Sequence, residues 1–301
     1  MGYCGTLEFA ETWRFQMVTL APTAPTPFDP KNWGERVDMN TIRKIRVPQL
    51  GPDTWRPLPH ETYVDMIEQA FSRHGFQLSE PTHYRAKTTK NPKIKDQGEW
   101  GRFISLYGIA HPGLPSTSEM TWEAGFVNSY DMTKSASGGL GRRVSVCSNG
   151  MFMGAEAQFR RKHTKNIDRD REGQFEHVYE LIDNAVSHLL PAAEAETARI
   201  ERWKNIECSD DDARYVIMEA AKANVMGNSA TMRVLKHWEE PEHPEFKDRN
   251  VWSLENAFTS NDRGASLMTQ SSRMARLADI IDDRFSVGNP NTETALVASD
   301  F

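Results

Sequence analysis

The 301-residue chain contains only three cysteines, Cys4, Cys147 and Cys208, and no two of them have CxxC spacing. This excludes a disulfide framework and a zinc ribbon, and it is typical of a protein that folds in a reducing compartment. No window approaches eighteen consecutive apolar residues, so we expect no membrane-spanning helix. Polar residues such as Glu8, Glu11 and Arg14 stand where a signal peptide would be apolar. We therefore expect a cytoplasmic protein.

The common catalytic and nucleotide-binding signatures are also missing. We find no P-loop, dinucleotide-binding, zinc-protease or serine-hydrolase motif. His237 and His243 lie near several glutamates, but this segment contains two prolines and is typical of a solvated acidic turn. The sequence therefore indicates no catalytic residue, no metal and no cofactor.

Charge is distributed unevenly along the chain. Residues 1–165 hold 21 Lys and Arg against 16 Asp and Glu, whereas residues 166–301 hold 15 against 26. A basic half joined to an acidic half indicates a surface for a polyanion in the first half. A solvated acidic face on the later helices would produce the same asymmetry.

Hydrophobic periodicity predicts a change of structure near the middle of the chain. A helix over Pro59–His74 is followed by four strands with aromatic and β-branched residues, and later segments return to helical spacing. The predicted strands are 77–87, 101–110, 120–130 and 142–153, and the predicted helical segments are 175–190, 209–225, 229–238, 251–258 and 265–285. This pattern predicts an α+β fold in which an N-terminal helix and an antiparallel β-meander pack against a C-terminal set of helices. We divide the chain into an irregular, proline-rich arm (1–56), a basic α/β core (57–166), an acidic helical part (167–286) and a flexible tail (287–301).

Three basic segments fall within the β-rich half. The first is the loop Lys87–Lys95, the second surrounds the glycine-rich turn 135–141, and the third is Arg160–Lys165. Backbone N–H groups of a glycine-rich turn and flanking cations are suited to phosphate binding. The predicted phosphate-binding residues are Lys87, Lys90, Lys134, Arg142, Arg143, Arg160, Arg161, Lys162 and Lys165.

Four aromatic residues lie between these basic segments: Tyr84, Trp100, Tyr107 and Tyr130. Aromatic side chains interleaved with cations are suited to stacking on single-stranded nucleic acid, and Tyr130 is the best candidate. The same aromatic residues would equally well fill the core beneath the sheet. Asp131 with Glu119 and Glu123 is an alternative, metal-binding carboxylate group of the kind found in nucleases.

Four short motifs resemble a known family. They are Asn128-Ser-Tyr-Asp131, Arg143 with Val146-Cys-Ser-Asn-Gly-Met151, Arg161-Lys-His-Thr164, and the segment 251–259, VWSLENAFT. They resemble the phage and plasmid proteins grouped as domain-of-unknown-function family 932, over roughly residues 58–285. The family-motif residues are Asn128, Ser129, Asp131, Cys147, Asn149 and Gly150. The resemblance implies an origin in a bacteriophage or mobile element, hence the host cytoplasm, and implies no particular activity.

The predicted order of helix, antiparallel strands and long helices is also similar to the core of phage single-strand annealing proteins of the RecT and Redβ type. This analogy concerns element order alone. Our leading hypothesis is a homo-oligomeric protein that binds single-stranded DNA and promotes strand annealing. The alternatives are an enzyme that processes nucleic acid or nucleotides around Asp131, Asn128 and Asn149, and a structural or host-protein-binding factor that uses the acidic helices.

Overall fold

The computed structural model describes residues 34–115, 120–144, 150–152, 158–167, 175–261 and 267–286. The strands are β1 (Glu35–Val37), β2 (Gln77–Leu78), β3 (Thr82–Lys87), β4 (Trp100–Ala110), β5 (Met120–Ser129), β6 (Ala136–Val144), β7 (Gly150–Phe152) and β8 (Gln158–Arg161). The helices are α1 (Met39–Arg43), α2 (His60–Arg73), α3 (Glu176–Ser187), α4 (Leu189–Lys204), α5 (Asp210–Lys222), α6 (Asn228–Glu239), α7 (Val251–Asn261) and α8 (Leu267–Phe285), with a 3-10 turn at Pro244–Phe246. The predicted α+β class is confirmed.

The strands form one antiparallel sheet in the order β1-β3-β4-β5-β6-β7. β2 also pairs with β4, and β8 pairs with the first half of β6. Pro81 separates β2 from β3, so the single strand predicted over 77–87 is wrong in detail. The strands predicted over 101–110 and 120–130 agree with β4 and β5. The fourth predicted strand, 142–153, is wrong: its first residues end β6, and Gly150–Phe152 form the separate strand β7, which pairs with β6.

Residues 136–141 of the glycine-rich segment belong to strand β6, so the turn predicted over 135–141 is wrong. Gly138 pairs with Phe126 in the middle of the sheet. A Cβ atom at Gly138 would stand 2.2 Å from Cδ1 of Phe126 and 2.9 Å from the carbonyl oxygen of Gly125. The absence of a side chain therefore lets the Phe126 ring lie across this strand, which is why glycine occurs inside a sheet here.

Two hydrophobic cores lie on either side of the middle of α4. The first combines strand residues such as Phe103, Phe126 and Leu140 with α2, α3 and the start of α4 as far as Ala193. The second contains Ile200, Trp203 and the apolar faces of the later helices. The sheet therefore supplies one wall of a core that continues into the helical half.

The helix boundaries agree with the sequence where local signals are strong. Gly75 has a φ of 77° and follows the end of α2, as predicted for a left-handed terminator. Ser209 and Asp212 form the expected capping box at the start of α5. The apolar stripe 175–190, predicted as one helix, is divided between α3 and α4 at His188.

The predicted arm 1–56 is partly regular. Residues 35–37 form β1, which pairs with β3, and Asp38 caps the short helix α1 through a hydrogen bond to the Thr41 N–H. The proline-rich run 21–27 and the tail 287–301 lie outside the described residues. Within the described residues, no helix is both long and apolar enough to cross a membrane.

Candidate nucleic-acid interface

One end of the sheet gathers the three basic segments. Because neighbouring strands are antiparallel, the loop after β3 (88–99), the turn after β5 (130–135) and the segment after β8 (162–167) emerge at the same end. The register is explicit, since Ala136 at the start of β6 pairs with Arg161 at the end of β8. Similarly, Lys87 pairs with Trp100. We call this end, comprising residues 87–99, 130–135 and 160–167, the basic edge.

Positive charge dominates the basic edge. These three segments contain nine Lys and Arg against three Asp and Glu. Lys87, Lys90, Lys134, Arg160, Lys162 and Lys165 are exposed, and Arg161 is half-buried. Lys87 pairs with Glu99. Lys134, Lys162 and Lys165 form no ion pair within the part of the chain that the structure describes, so their charges are available to solvent ions or ligands.

Asp131 fastens the lysine-rich loop to the turn after β5. Its Oδ2 accepts hydrogen bonds from the Thr89 N–H at 2.8 Å and from Arg102 Nε at 2.9 Å. Its Oδ1 accepts from the N–H and the hydroxyl of Thr133. Burial acts to raise the pKa of Asp131, but these hydrogen bonds and the Arg102 charge outweigh it and hold the pKa below its usual value. The carboxylate is therefore fully engaged, as expected for a structural clamp.

The chain segment 46–58 joins the lysine-rich loop to the segment after β8. The Lys95 N–H donates to the Leu50 carbonyl at 2.8 Å, and the Asp96 carboxylate accepts the Leu50 N–H. At its other end, the Lys165 N–H donates to the Thr54 carbonyl at 2.8 Å. The two basic segments are thus held at the two sides of one connecting segment.

Arg142 does not belong to this edge, contrary to the prediction. It lies in the interior with 1% of its surface exposed. Its guanidinium lies 2.8 Å from Glu196 and 2.8 Å from Glu255 and stacks 4.7 Å from the Trp252 ring. Because its charge is already paired and removed from solvent, Arg142 is not a phosphate contact.

Several other predicted residues lie further along the same strands. Arg143 pairs through its backbone with Thr121 and Gly150, beyond Arg142 and away from the basic edge. The surroundings of its side chain lie outside the described residues. Gly150 begins β7, whereas Cys147 and Asn149 lie outside the described residues. These residues therefore join no described site.

The stacking prediction for Tyr130 is wrong. Tyr130 is 2% exposed, and its ring stacks on His60 with 3.9 Å between centroids. Its hydroxyl oxygen accepts the His60 N–H at 2.7 Å. Tyr84 and Tyr107 are equally buried, because their positions on the strands turn them into the hydrophobic clusters. Trp100 is partly exposed, with the Arg85 guanidinium 4.3 Å from its ring centre.

Asn128 holds a buried imidazole beneath the edge. Its Nδ2 donates to the Leu58 carbonyl at 2.8 Å and to Nδ1 of His60 at 3.1 Å, and its Oδ1 accepts the Ser129 N–H. The Ser129 hydroxyl in turn bonds to the backbone of Lys134. Burial, aided by nearby His163, lowers the pKa of His60 to about 3, so the ring is neutral with its proton on Nε2. These family-motif residues thus support the turn that carries Lys134.

His60 and His163 are two buried polar residues near the basic edge that sequence reasoning missed. His163 accepts the Leu58 N–H on Nδ1, and burial lowers its pKa to about 4. For His60, the sequence signal was its position after Pro59 at the predicted start of a helix. The described residues include no group of three His, Cys, Asp or Glu suited to a metal. In the segment with several glutamates, Nδ1 of His237 lies 4.0 Å from Oε1 of Glu242.

Comparison with known proteins adds one match. Residues 113–281, more than half of the chain, match the family model described as "Domain of unknown function (DUF932)". This range is narrower than the 58–285 expected, and it includes Lys134 and the segment after β8 but not the lysine-rich loop. No curated protein and no solved structure matches the chain.

Proposed function

We propose that this chain, which belongs to the DUF932 family, binds single-stranded DNA along the basic edge. The observation that carries the proposal is the convergence of three basic segments, far apart in sequence, at one end of the sheet. Their exposed ammonium and guanidinium groups are suited to the sugar-phosphate backbone. Binding of this kind releases counterions and needs no catalytic motif.

Rigid placement of the cations supports the proposal. Asp131 fastens the lysine-rich loop to the turn carrying Lys134, and Arg160 donates from Nε to the Ser135 hydroxyl at 3.3 Å. Because the segments are tied to one another, their charges act on a strand as one surface. The loss of conformational freedom on binding is correspondingly smaller.

Partly exposed aromatic rings favour a single strand over a duplex. Trp100 lies beside Lys87 at the edge, and Trp55 lies in the segment that joins two of its parts. Unpaired bases can stack on such rings, whereas bases within a duplex are covered by their neighbours. Binding to duplex DNA as tight as to a single strand would contradict this part of the proposal.

The geometry offers less support to the alternative of an enzyme at Asp131. Both carboxylate oxygens of Asp131 are occupied by hydrogen bonds, and its side chain is fully buried. Asn128 is likewise engaged with Leu58, His60 and Ser129.

The test is fluorescence anisotropy of a 3′-labelled 40-nucleotide strand at several salt concentrations. We expect Arg160→Ala combined with Lys162→Ala to weaken binding and to make the dependence of log K on log salt shallower by about 0.7 for each lost phosphate contact. The matched control is Lys236→Ala with Lys247→Ala, which removes two exposed cations from the helical half. Absence of binding at low salt, or an equal effect in the control, would overturn the proposal.

Annealing is the second step of the proposal. Contacts to the phosphates leave base edges free to meet a complementary strand, and light scattering should detect an oligomer on the bound DNA. We expect the wild-type chain to accelerate pairing of two complementary labelled strands, and the edge variant to lose that acceleration. Binding without acceleration would restrict the function to strand binding.

A further inference from the structure

Helix α5 carries two apolar side chains on the side that faces solvent. Its buried residues lie on the other side and pack into the second core: Ala213, Val216, Ile217 and Ala220. Tyr215 is 49% exposed and Met218 is 52% exposed. Because exposed large apolar side chains that stand together commonly mark a contact with another protein, this side of α5 is a candidate interface.

A third exposed apolar side chain lies on the neighbouring helix. Met232 of α6 is 67% exposed. The connection between α5 and α6 is short, and Nε1 of Trp238 near the end of α6 donates to Asp210 at the start of α5 at 3.0 Å, so the two helices form an antiparallel hairpin. Met218 lies four residues before the end of α5, and Met232 lies four residues after the start of α6. The two methionines therefore stand at the same height along the hairpin.

Opposite charges stand at the two ends of the exposed side of α5. Asp211 and Lys222 are both exposed. Together with Tyr215 and Met218 they have the 4-3-4 spacing that places residues along one face of a helix, as in the seam of a coiled coil. We call these four residues the α5 stripe. Along the chain, the stripe presents a carboxylate, a tyrosine, a methionine and an ammonium group.

The α5 stripe is complementary to itself when its direction is reversed. The point halfway between Asp211 and Lys222 is also halfway between Tyr215 and Met218. A second copy of α5 packed antiparallel about this point places its Lys222 opposite Asp211 and its Met218 opposite Tyr215. A two-fold axis repeats each of these contacts, which is the arrangement of an isologous dimer.

The ion pairs within α5 do not oppose this packing. Asp211 pairs with Arg214, and Lys222 pairs with Glu219, each three residues away on the same helix. Arg214 and Glu219 flank the stripe, so Asp211 keeps Arg214 and gains Lys222 of the second copy. Each Arg214 lies on the same flank as Arg214 of the second copy and stays paired with its own Asp211. Exposed pairs within a helix contribute little, so their adjustment costs little.

We propose that this chain forms a two-fold dimer by antiparallel packing of the α5 stripe on a second copy, with Met232 at the margin of the contact. The inference does not depend on the proposed function, because no residue of the basic edge takes part. α5 has 13 residues and is about 20 Å long, so the contact is small. We therefore expect a dissociation constant on the order of 10 µM.

The test is sedimentation velocity of the full chain without DNA, at protein concentrations below and above this constant. We expect wild type to pass from monomer to dimer. Asp211→Lys places two ammonium groups opposite each other and Lys222→Asp places two carboxylates opposite each other, so each variant alone should dimerise about tenfold more weakly. An equimolar mixture of the two variants restores opposite charges at both contacts. The mixture should therefore form a heterodimer about as tightly as wild type dimerises.

An apolar variant and a matched control complete the test. Met218→Ser removes an exposed side chain at the centre of the contact and should weaken dimerisation about tenfold. Glu201→Lys on α4 reverses an exposed carboxylate that also pairs with a lysine three residues away, and it should dimerise as wild type does. Circular dichroism checks that every variant keeps its helices.

Three results would overturn the proposal. They are a wild type that stays monomeric, a control weakened as much as Asp211→Lys, and a mixture that associates no more tightly than either variant alone. None of these results bears on strand binding, which anisotropy measures separately.

Discussion

Arg142 on β6 donates a hydrogen bond of 2.8 Å from Nη2 to Oε1 of Glu255 on α7. The same guanidinium donates from Nε to Glu196 on α4 at 2.8 Å, and Arg199 pairs with the other oxygen of Glu196. Each of Arg142, Glu196 and Glu255 is at most 5% exposed. One buried network of charged side chains thus connects the sheet to two helices of the helical half.

Removing Arg142 should destabilise the fold without altering DNA contacts directly. Arg142→Ala leaves two carboxylates buried without their shared partner, and we expect a loss of about 3–5 kcal/mol in the free energy of unfolding. Chemical denaturation monitored by circular dichroism measures this loss. Arg214→Ala, which breaks an exposed pair with Asp211, should cost less than about 1 kcal/mol. A stable Arg142→Ala protein with a reduced salt dependence of DNA binding would contradict the structural role.

Glu255 should make stability depend on pH. Burial raises the pKa of Glu255 from 4.5 to about 7, although Arg142 opposes the shift, so the folded state retains a proton that the unfolded chain loses. Stability from this group is therefore fully present below pH 4.5 and declines as the pH rises to about 7. Glu255→Gln cannot ionise, so its stability relative to wild type should increase across this window, by at most about 3 kcal/mol.

Denaturation of wild type and Glu255→Gln at pH 4.5, 6 and 8 measures this change. The control is Glu201→Gln on α4, which alters an exposed glutamate paired with Lys204. The difference in free energy of unfolding between Glu201→Gln and wild type should change less over this pH range than the difference for Glu255→Gln. If the difference in free energy of unfolding between Glu255→Gln and wild type did not change with pH, the raised pKa of Glu255 would be contradicted.

Asp131→Asn should loosen the lysine-rich loop. The amide can accept fewer of the hydrogen bonds from Thr89, Thr133 and Arg102, and its NH₂ group faces donors. We expect a loss of about 1–3 kcal/mol in stability, and faster hydrogen exchange in residues 88–99. Glu99→Gln in the same loop, which breaks only an exposed pair with Lys87, should change neither quantity appreciably. Unchanged hydrogen exchange of residues 88–99 in Asp131→Asn would contradict the conclusion that Asp131 holds this loop in place.

Gly138→Ala should destabilise the centre of the sheet. The added methyl group would stand within 3 Å of the Phe126 ring and of the Gly125 carbonyl oxygen, so the ring must leave its position. Overpacking of this kind costs about 1–3 kcal/mol. Thermal unfolding followed by circular dichroism measures it, and Gly98→Ala is the control, because nothing lies within 4 Å of a Cβ atom there. Equal melting temperatures for the two variants would show that the segment has room for a side chain.

The sequence by itself determined the local elements and the fold class. The helical stripe of α2, the capping box of Ser209 and the strands β4 and β5 depend on residues a few positions apart, and such patterns are legible in one chain. The positive charge of the three basic segments can also be read directly from the sequence. Periodicity could not distinguish a turn from a strand at Gly138, because glycine is typical of turns. Glycine occurs in this strand because the Phe126 ring of the neighbouring strand fills the space of a side chain.

Only the tertiary structure decided which predicted site residues meet and which are buried. Arg142 looked like a phosphate contact, but its partners Glu196 and Glu255 lie 54 and 113 positions away and enclose it. Tyr130 is buried against His60, which lies 70 positions earlier in the chain. The convergence of Lys90, Lys134 and Lys162 follows from the antiparallel order of the strands. Burial and convergence depend on contacts between distant parts of the chain, and no local pattern of residues encodes them.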